Sequence, residues 1–206
     1  MKQKTIGIIN YGVGNLQSVK NSLDHLHIPN IIVNKPNEID KCAKIILPGV
    51  GAFNPAITKL DKLLFSKRIK EFAKKQRPIL GICLGMQLLF QESTEHGRHK
   101  GLGLVKGKVL PFSAKVKKLP LHLIGWNTII KQRNSAILEG IEDNSSFYFV
   151  HGFYCQPTEE SVTIASSDYG IKFSAIVQYK NIFGCQFHPE KSQASGLKIL
   201  ENFHNL

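Results

Sequence analysis

The chain has 206 residues, 42% of them hydrophobic and 20% charged, the balance of a soluble domain able to bury a sizeable core. No stretch is long and apolar enough to span a bilayer, and the run Thr5 to Ile9 is too short for a signal-peptide core, so the cytoplasm is the expected location and no membrane partner is expected. The formal net charge of +12 raises a nucleic-acid surface, but no arginine-aromatic pattern, zinc finger or long basic helix accompanies it, which favours a solvated basic face and no nucleic-acid partner.

The first half alternates short β-rich runs with helical patterns. Thr5-Ile6-Gly7-Ile8-Ile9 reads as a buried strand. Leu16, Val19, Leu23 and Leu26 then recur at helical spacing. Asn30 to Val33 forms a second strand. Lys44 to Leu47 forms a third, closed by Pro48-Gly49. Ile57, Leu60, Leu64 and Phe72 fit a helix with lysines on its other face. Pro78 to Ile82 is a further strand, and a helix follows from Leu84 to Gln91. This order argues for an α/β protein with a parallel sheet covered on both faces.

The second half is strand-rich: Leu104 to Val109, Phe147 to Val150, Val162 to Ala165, Ser174 to Tyr179 and Ile182 to Phe187, with a tight turn at Tyr179 to Ile182. Gln193 to Phe203 reads as a closing helix. No repeat or linker interrupts residues 1–206, so one α/β domain with an antiparallel extension is expected. Basic residues cluster in Lys59 to Arg77 and in Arg98 to Lys118, the second run without Asp or Glu.

Three segments carry chemistry. Gly81-Ile82-Cys83-Leu84-Gly85 places a cysteine between a strand end and a helix start, in the form Gly-x-nucleophile-x-Gly. The turn is so sharp that flanking side chains would collide. The thiol then projects outward, the first helix amides point towards it and favour a negative charge, and the Leu84 N–H can donate to an oxyanion. Cys42, Cys155 and Cys185 form no Cys-x-x-Cys pair and read as buried small hydrophobes.

Gln186-Phe187-His188-Pro189-Glu190 ends another predicted strand. Pro189 keeps His188 extended, and residues two apart then face the same way, so Glu190 can orient the imidazole while its other nitrogen serves Cys83 as base. Pro48-Gly49-Val50-Gly51 follows the third strand, and its glycines let a peptide rotate to offer an N–H to an oxyanion or bind a substrate carboxylate. Gly12-Val13-Gly14 hints at a dinucleotide fingerprint, but Gln17 stands where its third glycine belongs.

With these segments the chain resembles the class I glutamine amidotransferases, and among them the glutaminase subunits of imidazole glycerol phosphate synthases. The matching runs span nearly the whole chain: Tyr11 to Leu16, Leu47 to Phe53, Gly81 to Gln87, Gly101 to Gly103, Gly125-Trp126-Asn127, Phe147 to His151 and Gln186 to Ser192. The Pro-Gly-Val-Gly form separates these subunits from relatives with Pro-Gly-Gly.

The resemblance implies the family's three-layer, flavodoxin-like fold, a mostly parallel sheet with an antiparallel extension. It implies a catalytic triad of Cys83, His188 and Glu190. Val50 and Leu84 would form the oxyanion hole, the Val50 peptide turning when the partner engages, and Gly49, Gly51 and Gln87 would hold glutamine. It also implies a heterodimer with a barrel-shaped cyclase subunit, which uses the ammonia to make imidazole glycerol phosphate and AICAR from PRFAR in histidine biosynthesis. Asn15, Trp126 and Lys191 match positions near that interface. No cofactor or metal is expected, because a thiolate is already a strong nucleophile. The chain departs from the pattern at Asn10 (usually Asp), at His122-Leu123-Ile124 (usually Pro-His-Met) and at Gly152-Phe153 (commonly Ser-Tyr). These departures leave room for a paralogue supplying ammonia to a different synthase, such as one modifying a surface sugar.

Overall fold

The structure, a computed structural model, describes residues 5–112 and 119–206. The first half forms β1 (Ile6–Ile9), α1 (Leu16–His25), β2 (Asn30–Val33), β3 (Lys44–Leu47), α2 (Phe53–Lys62), α3 (Phe65–Lys74), β4 (Ile79–Ile82) and α4 (Leu84–Leu89). β5 (Phe90–Ser93), β6 (His99–Lys100), β7 (Val105–Pro111), β8 (Leu123–Thr128), β9 (Ile130–Lys131), β10 (Ser146–His151) and β11 (Phe153–Pro157) follow. β12 (Thr163–Asp168), β13 (Lys172–Tyr179), β14 (Ile182–Cys185) and α5 (Gln193–Asn205) complete the order.

The central sheet runs β2-β1-β3-β4-β14-β13-β12-β9. β2, β1, β3, β4 and β14 are mutually parallel; β13, β12 and β9 extend the sheet antiparallel. The mostly parallel sheet with an antiparallel extension is therefore as expected. β1, β3, β4 and β14 are buried throughout, as strands covered on both faces must be. Alternate residues divide between two cores. Ile8, Ile46, Leu80 and Phe183 face α1, α5 and the β8–β10 pair. Ile9, Ile45, Leu47 and Ile79 face α2, α3, α4 and the sheet of β5, β6, β7 and β11.

The helix expected through Ile57, Leu60, Leu64 and Phe72 is two helices. Leu63 and Leu64 close α2 by donating to the Lys59 and Asp61 carbonyls, and Leu64 takes a left-handed φ of 62° and is 66% exposed, not part of the buried face. Length explains the break. An unbroken helix from Phe53 to Lys74 would run roughly 33 Å, against roughly 13 Å for the four-residue strands beneath it. The helix expected to Gln91 likewise ends at Leu89, where Phe90 turns into β5 with its ring buried. Lys180-Asn181 makes the expected tight turn between β13 and β14. The second basic run, from Arg98 to Lys118, ends outside the described residues.

Because the strands are parallel, the ends of β1, β3, β4 and β14 open on one edge, where α/β sheets bind ligands. Several glycines there have no room for a side chain, and two of them contrast. A Cβ on Gly85 would lie 1.8 Å from the Leu47 carbonyl oxygen, and one on Gly184 would lie 2.6 Å from Met86 Cγ. The first obstacle is backbone and the second a flexible side chain. Gly184→Ala should therefore lose about 1–3 kcal/mol in urea unfolding, typical of overpacking. Gly85→Ala should lose more, and an equal loss in both variants would contradict the close approach.

Candidate active site

Cys83 follows β4 in a conformation that L-residues rarely adopt, φ 53° and ψ −111°. Its N–H donates to the Cys185 carbonyl at 2.8 Å, which ties the end of β4 to the end of β14. The side chain is only 5% exposed, and the thiol donates to the Val150 carbonyl at 3.8 Å. Leu84 and Gly85 open α4, whose first N–H groups have no intrahelical acceptor.

From β14 the chain continues extended to His188. Its Nδ1 bonds Glu190 Oε1 at 2.8 Å, and both side chains are almost completely buried. Nε2 makes no hydrogen bond at rest. Burial pulls the imidazole pKa down, but the Cys83 sulfur once it carries charge, with the Glu190 carboxylate, outweighs burial and raises it above its ordinary value. The segment is stapled to β10. The His188 N–H donates to the Tyr148 carbonyl at 2.9 Å, Ser192 Oγ donates to the His188 carbonyl at 2.6 Å, and the Tyr148 N–H donates to Ser192 Oγ at 3.0 Å. Cys83, His188 and Glu190 thus lie together at the ends of β4 and β14.

The Pro48 to Gly51 turn lies directly against this elbow. A Cβ on Gly49 would come within 3.0 Å of both the Gly85 nitrogen and Leu84 Cβ. Tyr11 donates its hydroxyl to the Pro48 carbonyl at 2.9 Å, and the Phe53 N–H donates to Glu95 Oε2 at 2.7 Å, so the turn is anchored at both ends. Between the anchors Gly51 has φ +93°, and Val50 is exposed. Burial, with the Cys83 sulfur, pushes the Tyr11 phenol pKa up, so it stays a neutral donor. Gln87 lies buried beneath, its Nε2 donating to the Phe153 carbonyl at 3.0 Å and to Gln186 Oε1 at 3.3 Å.

The residues expected at an interface sit around the same edge. Asn15 caps α1 and accepts from Ser18 Oγ at 2.7 Å. In β8 and β10, Trp126 stands opposite Tyr148 and Ile124 opposite Val150, all four turned outward. Trp126 meets Tyr148 edge to face at 6.1 Å between centroids, and Lys191 Nζ lies 5.7 Å from the Tyr148 ring. Ile124 is 68% and Trp126 49% exposed, an apolar strip beside Cys83.

Sequence reasoning gave no role to Tyr11, Val150, His151 or Gln186. For Gln186 a signal existed: it lies two residues before His188, on the same side of an extended segment. For Val150 the group involved is a carbonyl, which no side-chain pattern reveals. The departures have local structural accounts. Asn10 Oδ1 accepts from the Gly12 N–H at 3.1 Å, a bond an Asp would also make. Leu123 is buried, and a Cβ on Gly152 would meet the His122 ring at 2.7 Å, so His122 and the bare Gly152 fit each other.

A family model described as glutamine amidotransferase class-I matches residues 7–206. Curated relatives include the imidazole glycerol phosphate synthase subunit HisH of Desulfitobacterium hafniense, 48% identical over 96% of this chain and 92% of that one. The subunit of the same name from Chlorobaculum tepidum is 45% identical over 95% of this chain and 97% of its own. That from Bacillus subtilis is 43% identical over 96% and 94%. Among solved structures, PurLQS from Thermotoga maritima has a chain that superposes with a TM-score of 0.79 at 19% identity, covering 98% of each chain, which bears on fold alone.

His151 stands behind His188 among Phe112, Phe149 and Phe173. Its Nδ1 bonds the Phe153 carbonyl at 2.8 Å and its Nε2 has no partner. Burial above all, with the neighbouring histidines, pulls its pKa down to about 4. The native state therefore holds it neutral, while the unfolded chain protonates it below about 6.5. Its contribution is present above about 6.5 and is lost as pH falls towards 4, roughly 3 kcal/mol in all. Unfolding free energy should drop across that interval, and His151→Asn, which cannot titrate, should flatten the slope. An unchanged slope would contradict the buried neutral imidazole.

Proposed function

From the premise that this chain belongs to the class I glutamine amidotransferase family, we propose that it is the glutamine-hydrolysing subunit of an imidazole glycerol phosphate synthase, acting in histidine biosynthesis. Identity near 45% over almost the full length of curated subunits of that enzyme supports the reading. The observation that carries the chemistry is the buried His188, which bonds Glu190 with one nitrogen and leaves the other unsatisfied near Cys83.

In this reading the Cys83 S–H turns from the Val150 carbonyl to His188 Nε2, and the imidazole takes its proton. Glu190 stabilises the imidazolium without taking the proton itself. The sulfur attacks the side-chain amide carbon of glutamine. The oxyanion rests on the Val50 and Leu84 N–H groups, and losing one such donor costs about 10²–10³ in rate. His188 returns its proton to the departing ammonia, and water hydrolyses the γ-glutamyl thioester to glutamate. Gly49 and Gly51 offer backbone to the substrate's polar ends, and Gln87 offers its carboxamide oxygen, since its nitrogen is occupied.

The ammonia passes to a cyclase subunit, the partner of this heterodimer, docked on the strip of Ile124, Trp126, Tyr148 and Lys191 with Asn15 nearby. Val150 links that strip to chemistry. Its side chain faces outward, and its carbonyl holds the resting thiol. Docking on β10 is thereby coupled to the carbonyl that the Cys83 thiol contacts. No helix among the described residues is long and apolar enough to cross a membrane, which fits cytoplasmic work.

Cys83→Ala should abolish glutamate release while leaving folding and cyclase binding intact. Full activity in that variant overturns the nucleophile assignment. The isolated chain should turn glutamine over poorly until a cyclase subunit and its nucleotide substrate are added. Equal turnover with and without cyclase, or activation only by a different synthase, overturns the pairing. Trp126→Ala should weaken cyclase binding about tenfold or more, as a half-exposed aromatic anchor does.

A further inference from the structure

Beyond the triad, the side chain of Gln186 reaches the Cys83 sulfur. Gln186 is fully buried, and its Nε2 lies 3.8 Å from Cys83 Sγ as a donor. The direction of that contact is fixed by its neighbours. The Phe153 carbonyl can only accept, so the Gln87 amide nitrogen faces it, at 3.0 Å. The same nitrogen donates to Gln186 Oε1 at 3.3 Å. With its oxygen committed to Gln87, Gln186 can present only its N–H to the sulfur. The chain of donors therefore runs from Gln87 through Gln186 to Cys83, anchored on the β11 backbone.

We propose that Gln186 is a further catalytic residue, whose carboxamide N–H donates to the Cys83 sulfur and favours its thiolate, and that Gln87 is the positioning residue that keeps this N–H aimed at it. The inference rests on the reading of Cys83 as nucleophile. The chemistry distinguishes two states of the sulfur. As a thiol, Cys83 satisfies itself on the Val150 carbonyl. As a thiolate it loses that bond and faces a carbonyl oxygen of like polarity. Gln186 is then the compensating donor, and a hydrogen bond to a charged group is the stronger kind. Packing alone does not account for this residue. A wholly buried carboxamide is costly unless its groups are bonded, and an apolar side chain would fill the same space without that cost. Gln186 and His188, two apart on an extended segment, approach the sulfur from one strand end, so one element supplies both the acceptor of its proton and the donor to its charge.

The test is the rate of Cys83 alkylation by iodoacetamide across pH in the full-length protein, with the modified peptide identified by mass, beside steady-state glutaminase kinetics with the cyclase subunit. Gln186→Met keeps the length and removes the donor. The alkylation profile should move to higher pH, and kcat should fall about tenfold or more with KM little changed. Gln186→Glu keeps the acceptor for Gln87 but offers the sulfur no N–H when ionised, so it should shift the profile the same way and serves if the first variant fails to fold. Gln87→Met should move the profile less, because it frees Gln186 to turn without removing it. A wild-type profile in the folded Gln186 variants, even with a lowered melting temperature, means a structural role only and overturns the proposal. Absence of Cys83 labelling in the wild-type protein overturns the nucleophile reading and this inference with it.

Discussion

Everything at the site depends on the backbone after β3 lying almost in contact with the backbone after β4. The Leu47 carbonyl oxygen sits where a Cβ of Gly85 would be, 1.8 Å from that position, and Gly49 comes within 3.0 Å of Leu84 and Gly85 by the same measure. Only glycine allows two strands' exits to approach so closely. The approach sets the amides that open α4 beside the Pro48 to Gly51 turn. It also forces Cys83 into its left-handed turn, and the hydrogen bond from Cys83 to Cys185 holds that strained residue in place.

The electrostatics follow from what is packed around that turn. Two buried histidines lie close together, and they are pushed in opposite directions. His188 has a carboxylate and a sulfur to hold a proton for, and it is raised. His151 has aromatic rings and a carbonyl, and it is lowered to about 4. A histidine whose proton affinity is raised thus sits beside one that stays neutral, so a charge on His188 has no second positive charge behind it.

The sulfur and the exposed strip are joined through β10. Its inward residues Phe147, Phe149 and His151 fill the core, its outward residues Tyr148 and Val150 face solvent with Trp126 and Ile124, and the Val150 carbonyl touches the thiol. A two-residue alternation therefore connects an apolar surface to the Cys83 sulfur over one strand. The His122 and Gly152 pair sits at the end of the same hairpin region, and each residue is shaped to the other.

Much was legible in the sequence because it is local. Apolar alternation located β1, β3, β4 and β14, and the glycine-flanked Cys83 announced a sharp turn. The spacing of His188 and Glu190 put both on one side, because backbone geometry over a few residues is set by those residues. What failed was what depends on distant partners. The break at Leu64 comes from the short strands underneath, and β5, β8 and β11 need neighbours that periodicity does not see. The donor order through Gln87 and Gln186, the Val150 carbonyl on the thiol, and the neutral His151 arise from strands brought together across the sheet edge. The sequence by itself determined which residues could form a nucleophile, a base and an orienter. The tertiary structure alone decided which groups surround them, because burial, hydrogen-bond direction and proton affinity are properties of the assembled neighbourhood and not of any one segment.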